Sequence, residues 1–368
     1  MTVTGLELRL VRLPLVHEFE TSSHRKSHLE HIVVRAKSSD GDFGWGECAS
    51  PSAPYYCGET IATCWHIMAE HLAPLLIGRQ WEHPDEAGAV MAKVAGNNFA
   101  RAGLEMACWD LYSRHLGKPL ADVLGGAADT VPAGVSLGIE PTVDALLTQV
   151  AAQVADGYLR VKLKIRPGWD VEPVRAVRSA YPDLLLQVDA NGAYRPDQVA
   201  LLTRLDGYDL LMLEQPFAGD DLLAHAMLRE RIHTPVCLDE SITSLATLRT
   251  ALRLEACSIV NVKVSRLGGL GPARAVHDDC LERGVPVWCG GMHEFGIGRA
   301  VNLAVASLPG FTLPSDVSGS DKYYATDIIT VPITAHDGSV LVPRTQPGIG
   351  VEVAPAVLET HTQRKVSI

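Results

Sequence analysis

Apolar and polar positions change period along this chain. From Val3 to Leu13 they alternate (Val3, Leu6, Leu8, Leu10, Val11, Leu13). Leu29–Ala36 and Phe43–Cys48 read as further strands, joined by an Asp40-Gly41-Asp42 turn. This predicts a three-stranded antiparallel sheet. Two polar connections, His17–His28 and Ser50–Tyr56, are long enough to be read as lid loops over a site. The period then becomes helical over Thr60–Leu76, Asp85–Ala92 and Phe99–His115. In the last of these Ala100, Gly103, Leu104, Ala107, Cys108 and Leu111 share one face. Glu105 and Asp110 on that helix are read as structural charges facing water. Gly117-Lys118-Pro119 ends the helix, and a short one follows from Leu120 to Leu124. Residues 1–125 are thus expected to form an α+β unit.

A third pattern starts at Val131–Ser136. Short apolar runs alternate with helical stretches at Thr142–Asp156, Val171–Tyr181, Pro196–Arg204, Leu222–Arg231, Ser244–Leu254 and Gly271–Arg283. Five runs stop at a charge: Lys164, Asp189, Glu214, Asp239 and Lys263, in steps of 25, 25, 25 and 24 residues. Apolar runs rich in Val, Ile and Leu suit strands buried on both faces. A step of that size holds one crossover helix, so the strands run parallel and all five charges emerge at one end of a barrel, where such folds build their sites. Val285–Cys289 and Phe311–Leu313 supply strands seven and eight, with the Gly298–Ser307 helix between them. This places an α/β barrel over 126–320. Beyond it, Ile328–Val331 and Ser339–Val342 read as antiparallel again, and the segment 321–368 is expected to return to the first unit.

Composition narrows the class. A chain of 368 residues exceeds a typical single core, and 47% apolar with 20% charged content is ordinary for a globular enzyme. A net charge of −11 argues against a nucleic-acid surface. The eight cysteines form no C-x-x-C pair; Cys237, Cys257 and Cys289 fall in or beside core elements, which suits a reducing compartment. No apolar run is long enough to span a membrane and the first residues lack a targeting pattern, so the cytoplasm is the default expectation.

The strand-end charges define a chemistry. Asp189, Glu214 and Asp239 each offer a hard oxygen donor, the usual way of holding Mg²⁺, and no His or Cys shares those strand ends to favour zinc or copper. Lys164 and Lys263 flank the carboxylates, and a lysine beside a cation is a candidate base near neutral pH. Lys162, two residues from Lys164, points the same way and is expected to lower the pKa of Lys164. A cation on a substrate carboxylate stabilises the enediolate left when the α-proton departs. Two bases on opposite faces then allow racemisation, or loss of a β-substituent. A Schiff-base aldolase, the rival reading, needs no carboxylate triad.

The Lys162-x-Lys164 pair, Asp189-Ala190-Asn191, Glu214-Gln215-Pro216, Asp239-Glu240-Ser241 and Lys263 resemble the enolase superfamily, muconate-lactonizing subgroup. The use of a lysine base with Mg²⁺ is a known property of that superfamily. The resemblance implies a (β/α)₇β TIM-like barrel under an α+β capping domain built from both chain ends. It also implies a divalent cation (Mg²⁺, or Mn²⁺ or Co²⁺), Lys164 and Lys263 as catalytic bases, and support from Lys162, Asn191, Glu240 and Arg266. Val161–Ile165 with Pro167–Asp170, and Trp288–Met292 with Glu294, Gly296, Gly298 and Arg299, are similar to the o-succinylbenzoate synthases that also racemise N-acylamino acids. Those proteins usually carry a small aliphatic residue and Thr or Ser where this chain has His293 and Phe295, a departure that bears on acyl-group preference. Arg266 resembles an arginine of the racemising members and is expected to lower the pKa of Lys263. Substrate contacts are expected from Phe19, Ser50, Tyr55, Ser136, Gly291, Met292, His293 and Asp316. The expected partner is a small-molecule carboxylate, with no nucleic acid and no membrane, and the chain is expected to form a homo-oligomer. The alternatives are a dipeptide epimerase or muconate-type cycloisomerase on the same site, or a ligand-binding barrel scaffold that is not an enzyme.

Overall fold

The computed structural model describes residues 1–20 and 25–368. The first sheet comprises β1 (Val3–Glu20), β2 (Arg25–Ser38) and β3 (Phe43–Cys48), all antiparallel, and Thr362–Ser367 adds a fourth strand on the outer edge of β1. The Asn98–His115 helix packs directly on β3. Glycines make that approach possible: a Cβ on Gly46 would lie 2.1 Å from the Gly103 carbonyl, and one on Gly44 2.2 Å from that of Ala107. The buried face predicted for this helix is observed, with Ala100, Leu104, Ala107, Cys108 and Leu111 fully enclosed.

The expected loop His17–His28 is instead largely strand. β1 and β2 run on past their apolar alternation and pair as far as Phe19 with Lys26 and Glu20 with Arg25, after an irregularity between Pro14 and Phe19. Thr21–His24, within that expected loop, lie outside the described residues. The physical reason is that a two-stranded ribbon beyond the sheet has no core face, so its residues are polar yet satisfy their backbone groups by pairing. Its end rests on the barrel, where Ile139 N–H donates to the Glu20 carbonyl at 2.9 Å. The Ser50–Tyr56 connection is irregular as predicted.

The barrel strands follow β4 (Thr130–Pro132). They are β5 (Gly134–Leu137), β6 (Arg160–Lys164), β7 (Leu185–Asp189), β8 (Met212–Glu214), β9 (Val236–Leu238), β10 (Ile259–Val262) and β11 (Val287–Cys289), parallel and in sequential order. Helices cross between them on the outside. The eighth strand is reduced to single bridges, Phe311 to Val287 and Ser315 to Ala133, which span the gap between β11 and the first strand. Pro314 has no N–H to donate there, and the segment is too short for a ladder. After the barrel, β12 (Ala335–His336) and β13 (Ser339–Leu341) form a small sheet with β4. Ile328–Val331, expected as a strand, contributes only the Ile329–Val353 bridge.

Buried carboxylates join the layers. Glu47 on β3 accepts from the N–H groups of Phe295 (2.8 Å) and Gly298 (2.7 Å), at the start of the Gly296–Ala306 helix. Glu105 accepts from Leu270 and Gly271 at the start of the Leu270–Glu282 helix. Asp110 accepts from Trp45 (2.7 Å) and Ile349 (2.6 Å). Glu105 and Asp110 were expected to face water; both are buried because each satisfies backbone donors at a helix start or a chain crossing.

Candidate active site

The parallel register places the charges side by side. Lys164 is the Cα partner of Asp189, and Asp189 of Glu214, each as the last residue of its strand. Asp239 and Lys263 follow directly on β9 and β10. Three carboxylate-bearing strands therefore separate the two lysines. All five side chains are buried. Gln215 braces the row: its Oε1 accepts from Asp239 N–H at 2.9 Å and Ser241 N–H at 3.3 Å.

Each cation sits on a carboxylate. Lys164 Nζ lies 2.6 Å from Asp189 Oδ2 and 2.7 Å from Asn191 Oδ1. Lys263 Nζ lies 2.6 Å from Asp239 Oδ2. Lys162 Nζ bridges Asp316 (2.8 Å), Glu214 (3.1 Å) and Asp189 (3.5 Å). Arg266 is fully enclosed, paired with Asp239 and bonded to the Asn261 and Ile242 carbonyls. Glu214 is further held by Gln187 (2.8 Å) and Asn261 (2.7 Å). Asn191 donates to Glu240 at 3.0 Å.

Burial raises the pKa of Glu214 to about 7, with the charge of Asp189 adding to it and Lys162 opposing. Glu240 is raised to about 8 by burial and by Asp239 and Asp189. Burial, the largest influence on Lys263, would lower it, but Asp239 together with Glu214 and Glu240 outweighs burial and the net shift is upward; Arg266 pushes downward, the expected direction, without prevailing. Burial would raise Asp316, yet Lys162 and Arg160 hold it far below the usual carboxylate range.

A cavity opens above the lysines. Its wall includes the expected Phe19, Ser50, Tyr55, Ser136, Gly291, Met292, His293 and Asp316, together with Lys162, Lys164, Asn191, Glu240 and Lys263. Asp189, Glu214, Asp239 and Arg266 are not part of that wall. Asp316 faces the cavity while paired with Arg160 and Lys162 and accepting from Ser136 Oγ at 3.0 Å. That pairing makes it a support for Lys162. Sequence reasoning missed Tyr56, whose hydroxyl donates to Asp239 Oδ1 at 2.7 Å and whose ring lies 4.8 Å from Lys263 Nζ. It also missed Lys26, Glu294 and Tyr323 in the wall. Tyr55 and Tyr56 are adjacent in a loop with no period, so nothing in the pattern says which turns inward. Lys26 sat in a stretch read as loop.

The donor set suits a hard divalent cation. Three buried carboxylates and no His or Cys ligand line up at one strand end, and Asp189 and Asp239 both raise the pKa of Glu214, so the three share one field. Among the described residues no three such side chains already form a metal cage; the lysine and arginine cations hold them.

Comparison with known proteins agrees with this geometry. Residues 5–125 match the mandelate racemase / muconate lactonizing enzyme N-terminal domain, and residues 145–357 the enolase C-terminal domain-like family. The chain is 47% identical to an o-succinylbenzoate synthase of Geobacillus kaustophilus, over 97% of this chain and 95% of that protein. It is 46% identical to an N-succinylamino acid racemase of Amycolatopsis sp., over the full length of both. A crystal structure of an enolase superfamily member from Listeria innocua superposes with a TM-score of 0.96 at 36% identity, covering 100% of this chain and 99% of that one. Enzymes of this superfamily depend on a divalent metal. With its capping domain, its parallel barrel and charges at successive strand ends, this chain belongs to the enolase superfamily, in the mandelate racemase / muconate lactonizing enzyme group, and is an enzyme.

Proposed function

We propose that the enzyme removes the proton α to a carboxylate of a small-molecule substrate, acting as an o-succinylbenzoate synthase, an N-succinylamino acid racemase, or both. The observation that carries this reading is the pair Lys164 and Lys263, buried in one cavity wall on opposite sides of three carboxylates. The similarity to an o-succinylbenzoate synthase and an N-succinylamino acid racemase supports the same chemistry.

Asp189, Glu214 and Asp239 are the residues that would hold Mg²⁺, or Mn²⁺ or Co²⁺. A divalent ion there supplies the charge that stabilises the enediolate form of the substrate carboxylate. Lys164 takes the α-proton on one face, with Asn191 and Asp189 fixing its Nζ. Lys263 serves the other face, held by Asp239 under Arg266 and Tyr56. Lys162, braced by Asp316, keeps fixed positive charge beside the site. In racemisation one lysine removes the proton and the other returns it. In dehydration Lys164 acts alone as base and then acid, while Lys263 remains a charge beside the reacting centre. The ribbon end and the Ser50–Tyr56 loop shield the cavity from water.

Eight free cysteines suit a reducing cytoplasm. Parallel assays of o-succinylbenzoate formation and N-succinylamino acid racemisation, with added Mg²⁺, test the reading. Failure of both reactions would refute it.

A further inference from the structure

The cavity carries a cation that the proton-transfer chemistry does not use. Lys26, on β2, pairs in register with Phe19 across the ribbon and lines the same wall as Lys164 and Lys263. Among the described residues its ammonium has no carboxylate within ion-pair distance; the Phe19 ring centre lies 5.9 Å from Nζ. Every other lysine of that wall rests on an acid.

His293 stands in the same part of the wall. Its ring is packed edge-on to Phe19 at 4.6 Å and stacked on Tyr323 at 4.6 Å. Its backbone φ of 61° lies in the left-handed region, and its carbonyl accepts from the Tyr324 hydroxyl. These contacts fix the ring, yet Nδ1 is shielded from solvent and has no hydrogen-bond partner among the described residues. Burial and the charges of Lys26, Lys164 and Arg299 keep the imidazole neutral, so one ring nitrogen carries a proton it can donate. Burial and the neighbouring Lys164 and Lys263 lower Lys26 to about 8, with the more distant charge of Glu294 opposing them without prevailing.

We infer that Lys26 and His293 form a subsite for a second carboxylate on the substrate, the far end of a succinyl group, and that they select dicarboxylic over neutral acyl chains. The inference rests on the proposed function for the identity of the reacting end. The rest follows from the wall: an ammonium with no ion-paired acid and an imidazole nitrogen with no hydrogen-bond partner among the described residues, both beside aromatic rings, fit an anionic terminus better than a methyl group. A charge-assisted hydrogen bond on each side would seat that terminus while the α-carbon lies between Lys164 and Lys263.

The test compares the N-succinyl and N-acetyl forms of phenylalanine, with Mg²⁺ present, on the wild type, Lys26→Met, Lys26→Arg and His293→Phe. Binding is measured by calorimetry and turnover by racemisation. The expected result is that Lys26→Met weakens N-succinyl binding and raises its KM about tenfold, which is ~1.4 kcal/mol, while the N-acetyl values change far less. Lys26→Arg should restore most of the preference. His293→Phe keeps the stacking and should lose a smaller part of it. Equal loss for both acyl forms in Lys26→Met would show a role in holding the ribbon and overturn the inference, as would no change for either. Because binding is read separately, a protein that binds N-succinyl compounds through Lys26 but racemises neither substrate and forms no o-succinylbenzoate would uphold the subsite and refute the proposed function.

Discussion

Two sets of buried acids in this molecule have opposite fates. Glu47, Glu105 and Asp110 at the seam between the layers each accept from two backbone N–H groups, with His31 added on Glu47 and Arg114 on Asp110. Asp189, Glu214 and Asp239 at the barrel mouth bond mainly to side-chain cations and amides. A backbone donor cannot leave without unfolding a helix start. A lysine ammonium sits on a flexible stem and can change partner within one turnover. Burial therefore does not distinguish a structural acid from a working one. The nature of the donor does, and the comparison can be tested from both sides.

The largest effect belongs to the movable cations. Lys164→Ala and Lys263→Ala should each reduce racemisation by at least about 10³-fold, within the range for losing a positioned acid or base. Exchange of the α-proton in deuterated water should survive, if at all, for one enantiomer only in each variant. Equal exchange of both enantiomers in Lys164→Ala would break the assignment of faces.

Removing an acid of the seam should leave chemistry nearly intact and cost stability instead. Glu47→Ala strands the Phe295 and Gly298 donors and takes the partner of His31, 2.6 Å away. At ~1–3 kcal/mol for each buried group left unpaired, the loss should be about 4 kcal/mol. Denaturant melts give that number, and a midpoint equal to the wild type would contradict the seam reading.

Glu105 sharpens the contrast through pH. Burial raises its pKa from an ordinary 4.5 to about 7 in the folded protein, with its backbone donors opposing. The folded state thus holds the proton more tightly than the unfolded one. The stability this gives is complete below pH 4.5 and is lost as pH rises to about 7, on the order of 3 kcal/mol in all. Glu105→Gln should flatten the slope of unfolding free energy over that window. An unchanged slope would remove Glu105 from the account.

Arg266 joins the two sets, since it pairs with Asp239 and donates to two carbonyls. Arg266→Gln should lower kcat/KM for racemisation about tenfold more than for o-succinylbenzoate formation, ~1.4 kcal/mol of differential barrier. Only racemisation asks Lys263 to exchange its proton. A parallel fall in both activities would class Arg266 with the seam.

The barrel was legible because its signal repeats. Lys164, Asp189, Glu214, Asp239 and Lys263 each end an apolar run of the same phase, and the parallel register brings the strand ends together. The ribbon was not, because Phe19 and Lys26 sit on strands without a core face, where alternation carries no information. The eighth strand was overread: Phe311–Leu313 is apolar enough, but Pro314 limits it to single bridges. Asp316 was placed correctly in the cavity wall, while its partners Arg160 and Lys162 come from another strand and leave no local trace. His293 stood out only through the family resemblance; the Phe19 and Tyr323 rings that pin it are distant in sequence.

The fourth strand of the first sheet has a consequence for synthesis. Glu7–Val11 pair with Thr362–Ser367. While the chain emerges from the ribosome, β1 can pair with β2, but its outer edge stays bare until residue 367 is free. An unpaired strand edge is a template for association with other chains. A nascent or truncated product ending before Thr362 would keep every strand-end charge of the barrel and yet present that open edge, so it should aggregate rather than accumulate as a smaller active enzyme.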